Sequence, residues 1–364
     1  MGITTRSDND TAPADLLAEL LGWYDRHRRD LPWRAAAGRR PDPYQVMLSE
    51  FMLQQTTVAT VARRFNEFIA RFPDFATLAA ATEAEVLHAW QGLGYYRRAR
   101  ALHACARAVL RDHGGALPES EAALLALPGI GPYTARAVRA IAFDEPAVPV
   151  DGNVLRVMAR LHGVEAPLPG AAGELQELAA AFETAHRPGD VAQALMDLGA
   201  TVCRPQEPRC MDCPWQMQCR ARAAGTTALL PRRQAKRTRP VRRGVAFLLV
   251  RPDGAILFRR RPPDGLLGGM HELPTTPWHT GPLDLDAAWQ HAPMPTNWQL
   301  DAEPVSHGFT HFRLELTLAR ATADVCAAGE WCRPDRLHRL ALPTLTRKLL
   351  RRAGYDVPSP IRGQ

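Results

Sequence analysis

"LPGIGPYTARAVRAIA", residues 127–142, joins two stretches of helical periodicity through a short turn that contains two glycines. Gly129 and Gly131 permit a tight turn whose backbone N–H groups can approach a phosphate, because glycine tolerates backbone conformations that other residues avoid. Pro132 suits the first position of the second helix, where its missing N–H costs nothing. The stretch therefore predicts two helices joined by a phosphate-binding hairpin, with an ordinary turn between helices as the alternative.

Length and periodicity predict two domains in the chain. Its 364 residues, of which 46% are apolar, exceed the ~250–300 residues at which a single core usually stops growing. Apolar residues recur every three or four positions in the first part, which predicts an all-α domain over residues 12–225. Downstream, "GVAFLLVRPDGAILFRRRP" reads as two strands around a Pro-Asp-Gly turn. We therefore expect an α+β domain over residues 244–355.

A basic segment separates the two predicted domains. Residues 231–243, "PRRQAKRTRPVRR", carry seven positive charges and no acid, and their two prolines interrupt regular structure. We expect an extended linker over residues 226–243. It is either solvated or in contact with a polyanion.

The beginning of the sequence shows no targeting signal. "MGITTRSDND" lacks the pattern of a signal peptide, and no apolar run approaches the ~20 residues of a membrane span. We expect a cytoplasmic protein without membrane contact. Structural disulfides are disfavoured in that reducing compartment, so clustered cysteines are expected to bind metal.

Four of the seven cysteines fall within "CRPQEPRCMDCPWQMQC", residues 203–219, with the spacing C-x6-C-x2-C-x5-C. A structural zinc site usually brings two close pairs, whereas only one C-x2-C pair is present here. A 4Fe-4S cluster needs four thiolates from a short loop, which this spacing can supply. The pattern predicts one 4Fe-4S cluster per chain, with zinc as the alternative. The predicted ligands are Cys203, Cys210, Cys213 and Cys219.

Five further stretches complete a pattern that covers nearly the whole chain. They are "LPWR" at 31–34, "LSEFMLQQT" at 48–56, "GLGYYRRAR" at 92–100, "VDGNVLRV" at 150–157 and "ALMDLGATVC" at 194–203. Together with the hairpin and the cysteines, they resemble the endonuclease III superfamily of helix-hairpin-helix DNA glycosylases, and within it the adenine glycosylases of MutY type.

This resemblance implies an activity. The chain is expected to hydrolyse the N-glycosidic bond of adenine mispaired with 8-oxoguanine or guanine, in base excision repair. Its partner is then double-stranded DNA containing that mispair, bound by a monomer whose hairpin contacts the backbone through Gly129 and Gly131. The resemblance also implies that the 4Fe-4S cluster organises a DNA-contacting loop, with no redox step required in base excision.

Two acids suit the chemistry of glycosidic cleavage. The bond breaks with positive charge on the sugar and negative charge on the base, so a site needs an acid for the base and a carboxylate for the sugar. Glu50 lies in an apolar helical stretch, where desolvation would raise its pKa. Read alone, Glu50 is a surface glutamate and Asp151 is a helix cap. By resemblance, Glu50 protonates adenine and then serves as base for water, Asp151 stabilises the oxocarbenium ion, and Asn153 and Tyr133 support them.

The position of Tyr133 predicts a glycosylase without lyase activity. Bifunctional relatives use a lysine at this hairpin position to form a Schiff base with the sugar. The sequence has no lysine before residue 236. A lysine-dependent lyase is therefore excluded for the helical domain, and a monofunctional glycosylase is expected.

Adenine is an undamaged base, so recognition must come from the base opposite it. Residues 244–355 resemble the Nudix-like C-terminal domain of the family, but the glutamate-rich box that binds metal in Nudix hydrolases is absent from the sequence. The domain is then expected to recognise 8-oxoguanine through Phe309, Thr310 and His311, whose alternative is plain strand residues. By resemblance, further residues read the mispair or line the adenine pocket: Arg29, Arg34, Gln55, Thr56, Leu93, Tyr95 and Gln193.

Two other functions are compatible with parts of the sequence. One is a thymine- or uracil-directed mismatch glycosylase of the same superfamily, and the other is a catalytically silent DNA-binding or metal-sensing protein. The intact pair of Glu50 and Asp151 argues against a silent protein. The C-terminal domain argues against the pyrimidine enzymes, which typically lack such an extension.

Overall fold

A computed structural model of the chain describes residues 13–36, 38–234, 239–262, 265–324 and 327–357. The chain divides into two compact units. One contains Met1–Ala80 and Ala101–Ala235, and the other contains Ala81–Arg100 and Lys236–Gln364. Within the described ranges, no helix combines the length and apolar character needed to cross a membrane.

The first unit is built from helices, as the sequence predicts. A π-helical turn at Leu198–Val202 and a 3-10 turn at Cys210–Asp212 lie near the cysteines. Up to residue 223 the α-helices are α1 Pro13–His27, α2 Pro43–Leu53, α3 Val58–Arg71, α4 Phe75–Ala80, α5 Glu83–Ala89, α6 Arg97–His113, α7 Glu121–Ala126, α8 Pro132–Phe143, α9 Gly152–His162, α10 Ala172–Ala180, α11 Pro188–Asp197 and α12 Arg220–Ala223. Helix α5 and the first residues of α6 belong to the second unit.

The helices of the first unit end and pack as their sequences dictate. Helix α8 begins at Pro132 with Gly131 as its N-cap, so the predicted hairpin between α7 and α8 is confirmed. Helices α1, α9 and α11 share one core, which includes Leu20, Met158 and Leu195.

Helix α2 is buried around most of its circumference, because most of its residues are apolar. A polar residue on α2 is therefore forced into the interior.

The second unit is a mixed sheet covered by short helices, which confirms the α+β prediction. Strands β1 and β7 pair in parallel from Val241↔Arg313 to Val250↔Thr322, and the other strand pairs are antiparallel. The order is β3-β2-β1-β7-β5, with β4 on β1, β6 on β7 and β8 on β2. The elements are β1 Val241–Val250, β2 Ile256–Arg260, β3 His271–Glu272, β4 His279–Thr280, α13 Leu285–Trp289, β5 Gln299–Leu300, β6 Val305–Gly308, β7 Arg313–Thr322, β8 Glu330–Cys332 and α14 Thr344–Arg352.

Both faces of the central strand β1 are covered. Leu248 belongs to a core that also contains Leu345 and Leu349 of α14. Phe247 points to the opposite face and packs with Ala288 of α13. This two-sided burial explains why β1 reads as a continuous apolar run and not as an alternating one.

Two residues of the basic segment between the predicted domains form backbone hydrogen bonds with Leu168. Arg232 O accepts a hydrogen bond from Leu168 N at 2.9 Å, and Gln234 N donates to Leu168 O at 3.1 Å. Strand β1 already begins at Val241, within the predicted linker, because β7 offers it a partner. Residues 235–238 of the segment lie outside the described residues.

Residues 81–100 belong to the second unit, although the sequence analysis places them in the helical domain. Gln91 Nε2 donates to Leu340 O at 3.2 Å, and Arg347 Nη2 donates to Gln91 Oε1 at 3.3 Å. Gln91 and Arg347 are both buried. Their contact joins residues about 250 positions apart, so local sequence patterns do not reveal it.

Candidate active site and cysteine loop

A pocket of about 480 Å³, including open solvent at its mouth, lies in the first unit beside α2 and α11. It brings together residues that are far apart in sequence, since α2 and α11 both pack against α8. Five of the residues that line it are Arg29, Arg34, Glu50, Gln193 and Met196. Four of these five, all except Met196, are predicted site residues.

Glu50 is the buried acid of this pocket, with only 5% of its surface exposed. The pKa of its carboxyl is raised to about 7, and burial is the largest cause. The charge of Asp151 also raises this pKa, whereas the Tyr133 hydroxyl and the charge of Arg34 lower it. The carboxyl can therefore hold a proton near neutral pH, and its Oε2 is buried without a hydrogen-bond partner among the described residues.

Asp151 is the N-cap of α9. Its Oδ1 accepts hydrogen bonds from Asn153 N and Val154 N, both at 2.8 Å, and its Oδ2 accepts one from Asn153 Nδ2 at 2.7 Å. The helix-capping interpretation of Asp151 is thus correct. Capping and the assigned chemical role are compatible, because the cap fixes the orientation of a carboxylate whose charge acts on Glu50.

Tyr133 occupies the second position of α8 and is half-buried. Burial raises its pKa well above the usual value, and the charges of Glu50 and Asp151 add to this effect. Its hydroxyl also lies 4.0 Å from Met196 Sδ. Tyr133 is therefore a neutral phenol that can donate a hydrogen bond to Glu50 but offers no amine.

Arg156 connects this site with the cysteine loop, and the sequence analysis missed it. Its Nη2 donates to Asn153 Oδ1 at 2.8 Å and to Gly199 O at 2.7 Å, while its Nε donates to Cys203 O at 2.7 Å. The side chain is buried. A single guanidinium thus holds the turn at Asp151 and the first cysteine in a fixed relation.

Asp197 neutralises the two arginines of the pocket, and it too was missed. Its carboxylate is fully buried and accepts from Arg34 Nη1 and Nη2, both at 2.7 Å, and from Arg29 Nε at 2.7 Å. Burial acts to raise its pKa, but the hydrogen bonds and charge of Arg34 lower the pKa below its usual value. The one signal in the sequence is a lone acid in the apolar stretch "ALMDLG".

Gln193 completes the polar lining of the pocket. Its Nε2 donates to Gly189 O at 3.1 Å, one turn earlier on α11. Gln193 itself is one of the residues that line the pocket. Arg29, Arg34 and Gln193 therefore line the same pocket as Glu50, and their contact with adenine stays a prediction.

The four clustered cysteines line a second cavity of about 310 Å³, together with Arg160. Arg160 Nη1 donates to Cys203 Sγ at 3.4 Å, and backbone N–H groups lie within hydrogen-bonding reach of Cys213 and Cys219. Such donors suit thiolates. No three His, Cys, Asp or Glu side chains of the described residues lie close enough to bind one metal ion.

The two glycines of the hairpin have different roles. Gly129 has φ of +81°, and a Cβ there would lie 2.7 Å from Ala101 Cβ and 2.8 Å from Phe51 Cε1. Gly131 has φ of −101°, and a Cβ there would meet no atom within 4 Å. Only Gly129 is required by the fold, and the space above Gly131 leaves the start of α8 accessible to a ligand.

Gln55 and Thr56 follow the end of α2. Gln55 is exposed and has φ of +55°, a left-handed conformation that is uncommon for residues other than glycine. Thr56 is half-buried beside it. An exposed side chain on strained backbone is typical of functional turns.

Leu93 and Tyr95 lie in the second unit and differ in accessibility. Tyr95 is 54% exposed with φ of +46°, and the Arg98 guanidinium lies 5.6 Å from its ring centroid. Leu93 is buried. Tyr95 can therefore meet a partner directly, whereas Leu93 is covered in this structure.

Residues 309–312 form the turn between β6 and β7, which we call the recognition turn. Phe309 N donates to Phe312 O at 2.9 Å, and the Phe309 ring stacks on Trp278 at 6.0 Å. Thr310 and His311 are exposed at the tip. The alternative of plain strand residues does not hold, since β6 ends at Gly308 and β7 begins at Arg313.

Comparisons with known proteins match one family model in each part of the chain, and the first match includes residues 81–100. Residues 48–180 match the family model described as HhH-GPD superfamily base excision DNA repair protein, and residues 245–352 match that of the NUDIX domain. The adenine DNA glycosylase of Homo sapiens is 34% identical over 91% of this chain and 72% of its own length. That of Mycolicibacterium smegmatis is 45% identical over 60% of this chain and 73% of its own length.

Solved structures resemble the helical part. A thermostable thymine-DNA glycosylase aligns with a TM-score of 0.53 and 30% identity over 58% of this chain and 97% of that chain. Endonuclease III in a non-covalent complex with DNA aligns with a TM-score of 0.50 over 59% of this chain and 98% of that chain, and its 20% identity shows the fold alone. Similarity to a curated relative over 91% of this chain and 72% of that relative decides the family: this chain belongs to the adenine DNA glycosylases, within the helix-hairpin-helix superfamily of base excision DNA repair proteins.

Proposed function

We propose that this chain is a monofunctional glycosylase that hydrolyses the N-glycosidic bond of adenine mispaired with 8-oxoguanine or guanine. The observation that carries the proposal is the Glu50 carboxyl, which is buried, has a raised pKa and has one unpartnered oxygen in the pocket. Membership of the adenine DNA glycosylase family supports adenine as the base removed. The partner is double-stranded DNA, and we propose a monomer acting in the cytoplasm.

The geometry supports a two-step hydrolysis. Glu50 gives its proton to a ring nitrogen of adenine while the bond between that base and the sugar breaks with its electron pair on the base. The oxocarbenium ion that remains is stabilised by the negative charge of Asp151. Glu50, now a carboxylate, takes a proton from water, and the oxygen bonds to the sugar carbon. At the end of the reaction the free base and the hydroxylated sugar have formed, and Glu50 is again protonated.

The pocket arginines fit this sequence of charges. Two free guanidinium groups would oppose a developing sugar cation. Asp197 reduces this electrostatic repulsion, because its carboxylate forms ion pairs with both Arg29 and Arg34. The arginines then act as oriented N–H donors that hold the base.

A lyase step has no support among the residues of this site. The sequence contains only two lysines, Lys236 and Lys348. Lys348 lies in the second unit with its Nζ donating to Ser306 O at 3.0 Å, and Lys236 lies outside the described residues. Tyr133 supplies a phenol where a Schiff base would need an amine.

We also propose that Cys203, Cys210, Cys213 and Cys219 hold one 4Fe-4S cluster. Their common cavity and the donor beside Cys203 suit a bound group with thiolate ligands, and the C-x6-C-x2-C-x5-C spacing supports a cluster over zinc. When bound, the cluster cross-links the 203–219 loop through four thiolates. The proposed hydrolysis uses no electron transfer.

The recognition turn is the proposed site that reads 8-oxoguanine. Thr310 and His311 are exposed polar side chains at its tip, and Phe309 anchors the turn on Trp278. Hydrogen bonds from two such side chains can distinguish 8-oxoguanine from guanine. Each is worth about 0.5–1.5 kcal/mol.

The test is single-turnover excision on duplexes that carry each base opposite 8-oxoguanine, repeated with adenine opposite guanine. We expect wild-type protein to remove adenine alone and to leave the strand uncut. Replacing Thr310 and His311 by alanine should lower the preference for 8-oxoguanine over guanine roughly tenfold to a hundredfold, and leave excision opposite guanine unchanged.

A matched control replaces Thr322 and His338, which are exposed in the same unit outside the turn. It should keep the preference of the wild type. Equal loss of activity on both duplexes would show that the recognition turn is only structural, and excision of thymine or uracil in place of adenine would contradict the proposed function.

A further inference from the structure

Arg242 on β1 is an exposed arginine held against an aromatic ring. Its guanidinium carbon lies 4.4 Å from the centroid of the Phe312 ring, and Phe312 itself is buried. Arg242 is paired within the sheet with Thr280 of β4 on one side and Leu314 of β7 on the other. The strand pairing and the contact with the Phe312 ring therefore both fix the position of the Arg242 guanidinium.

No acid of the described residues forms an ion pair with Arg242. Arg243 and Arg313 both pair with Glu315, at 3.1 Å and 2.9 Å, and Arg261 pairs with Glu272 at 2.6 Å. Across the described ranges, Arg242 has no hydrogen bond or ion pair of this kind. An oriented, exposed guanidinium without a counter-charge is suited to bind an anion from solution.

Arg242 stands at the base of the recognition turn. The Phe312 ring that it covers lies 4.9 Å from that of Phe309, and Thr310 and His311 are the exposed residues between them. If the tip of the turn meets the base opposite adenine, the nearest anions that accompany this base are the phosphates of its own strand. Guanidinium matches phosphate in shape and can donate two parallel hydrogen bonds to it.

We propose that Arg242 binds a backbone phosphate of the DNA strand that carries the base opposite adenine. This inference rests on the proposed function, since it requires that the recognition turn faces that strand. The phosphate contact positions the turn, and Thr310 and His311 make the distinction between bases.

The test compares two arginine variants. Arg242→Met keeps an apolar side chain over Phe312 and removes the charge. Arg251→Met is the matched control, because Arg251 lies just past the other end of β1, 4.9 Å from the Trp331 ring, but is paired with Asp253 at 2.7 Å. Dissociation constants are measured over a range of salt concentrations for duplexes with 8-oxoguanine or guanine opposite 2′-fluoro-adenosine, which resists cleavage.

For Arg242→Met we expect the slope of log affinity against log salt to fall by about 1, with equal loss of affinity for the two duplexes. Arg242→Lys should keep most of the slope, and Arg251→Met should match the wild type. An unchanged slope, or a loss confined to the 8-oxoguanine duplex, would overturn the phosphate contact. The wild-type excision assay separates this outcome from failure of the proposed function, because that assay does not depend on Arg242 variants.

Discussion

Glu50 shows how burial, as the main cause, can prepare a carboxyl group for acid catalysis. Its pKa of about 7 lies above the usual 4.5, chiefly because the group is desolvated on α2. The folded protein keeps the proton below pH 7 and loses it above. We therefore expect the single-turnover rate of adenine excision to fall as pH rises through about 7, since the proton must be available to the leaving base.

The residue can be tested directly. Glu50→Gln should lower excision by about a hundredfold to ten-thousandfold, the usual contribution of a general acid. Glu67→Gln, at an exposed position on α3, serves as the control and should behave as wild type. A wild-type rate that stays constant between pH 6 and pH 8 would contradict the role of Glu50.

Asp151 combines a structural and a chemical role, which two substitutions can separate. Asparagine keeps an Oδ1 that accepts from Asn153 N and Val154 N, whereas alanine removes the cap at a cost of about 0.5–2 kcal/mol. Both variants lack the negative charge. We expect excision to fall by orders of magnitude in both, and the thermal midpoint to fall clearly only in Asp151→Ala. Retained excision in Asp151→Asn would show that the charge is dispensable.

The hairpin between α7 and α8 allows a prediction about an element. Gly129→Ala must clash with Ala101 and Phe51 and keep φ positive, so we expect a loss of unfolding free energy of order 1–3 kcal/mol. Gly131→Ala meets no such contact. It should keep the urea midpoint and weaken binding to undamaged duplex, because the new methyl group stands where a phosphate would approach. Wild-type DNA affinity in Gly131→Ala would exclude a phosphate at this position.

The elements that the sequence predicts best are those with local signals. The hairpin follows from two glycines and Pro132, and β1 with β2 follows from apolar runs around a Pro-Asp-Gly turn. The burial of Glu50 is different: its neighbours on α2 are mostly apolar, but the residue read alone is a surface glutamate, and that interpretation is wrong. Arg156 and Asp197 were missed because the contacts of Arg156 with Cys203 and of Asp197 with Arg29 span about 40 to 170 positions, and no local pattern records such a contact.

At the scale of the whole molecule, the cysteines predict the metal content of the protein. We expect about four irons per chain and absorption near ~400 nm, as for other iron-sulfur proteins. Cys213→Ser should lose much of this iron. Cys332→Ser, outside the cluster loop, is the control and should retain it. Zinc in the purified protein, measured by elemental analysis, would contradict the cluster.

The division of the chain is the feature of the whole molecule that the sequence predicts least. Residues 81–100 lie between helical stretches of the first part, so periodicity assigns them to the helical domain. Their grouping with the C-terminal part depends on Gln91, Leu340 and Arg347. Such hydrogen bonds are decided by which surfaces meet in three dimensions, and a sequence read locally has no access to that.

This division has a consequence for how the protein is made. Residues 81–100 leave the ribosome early, but the residues that hold them are translated last. Domains generally fold as units in the order of synthesis, at about 5–20 residues per second. The first unit can thus fold around its pocket before residues 236–364, which form one unit with Leu93 and Tyr95, have been synthesised. A nascent or prematurely terminated chain would contain Glu50 and Asp151 but would lack the C-terminal residues, among them Leu340 and Arg347, that complete the second unit.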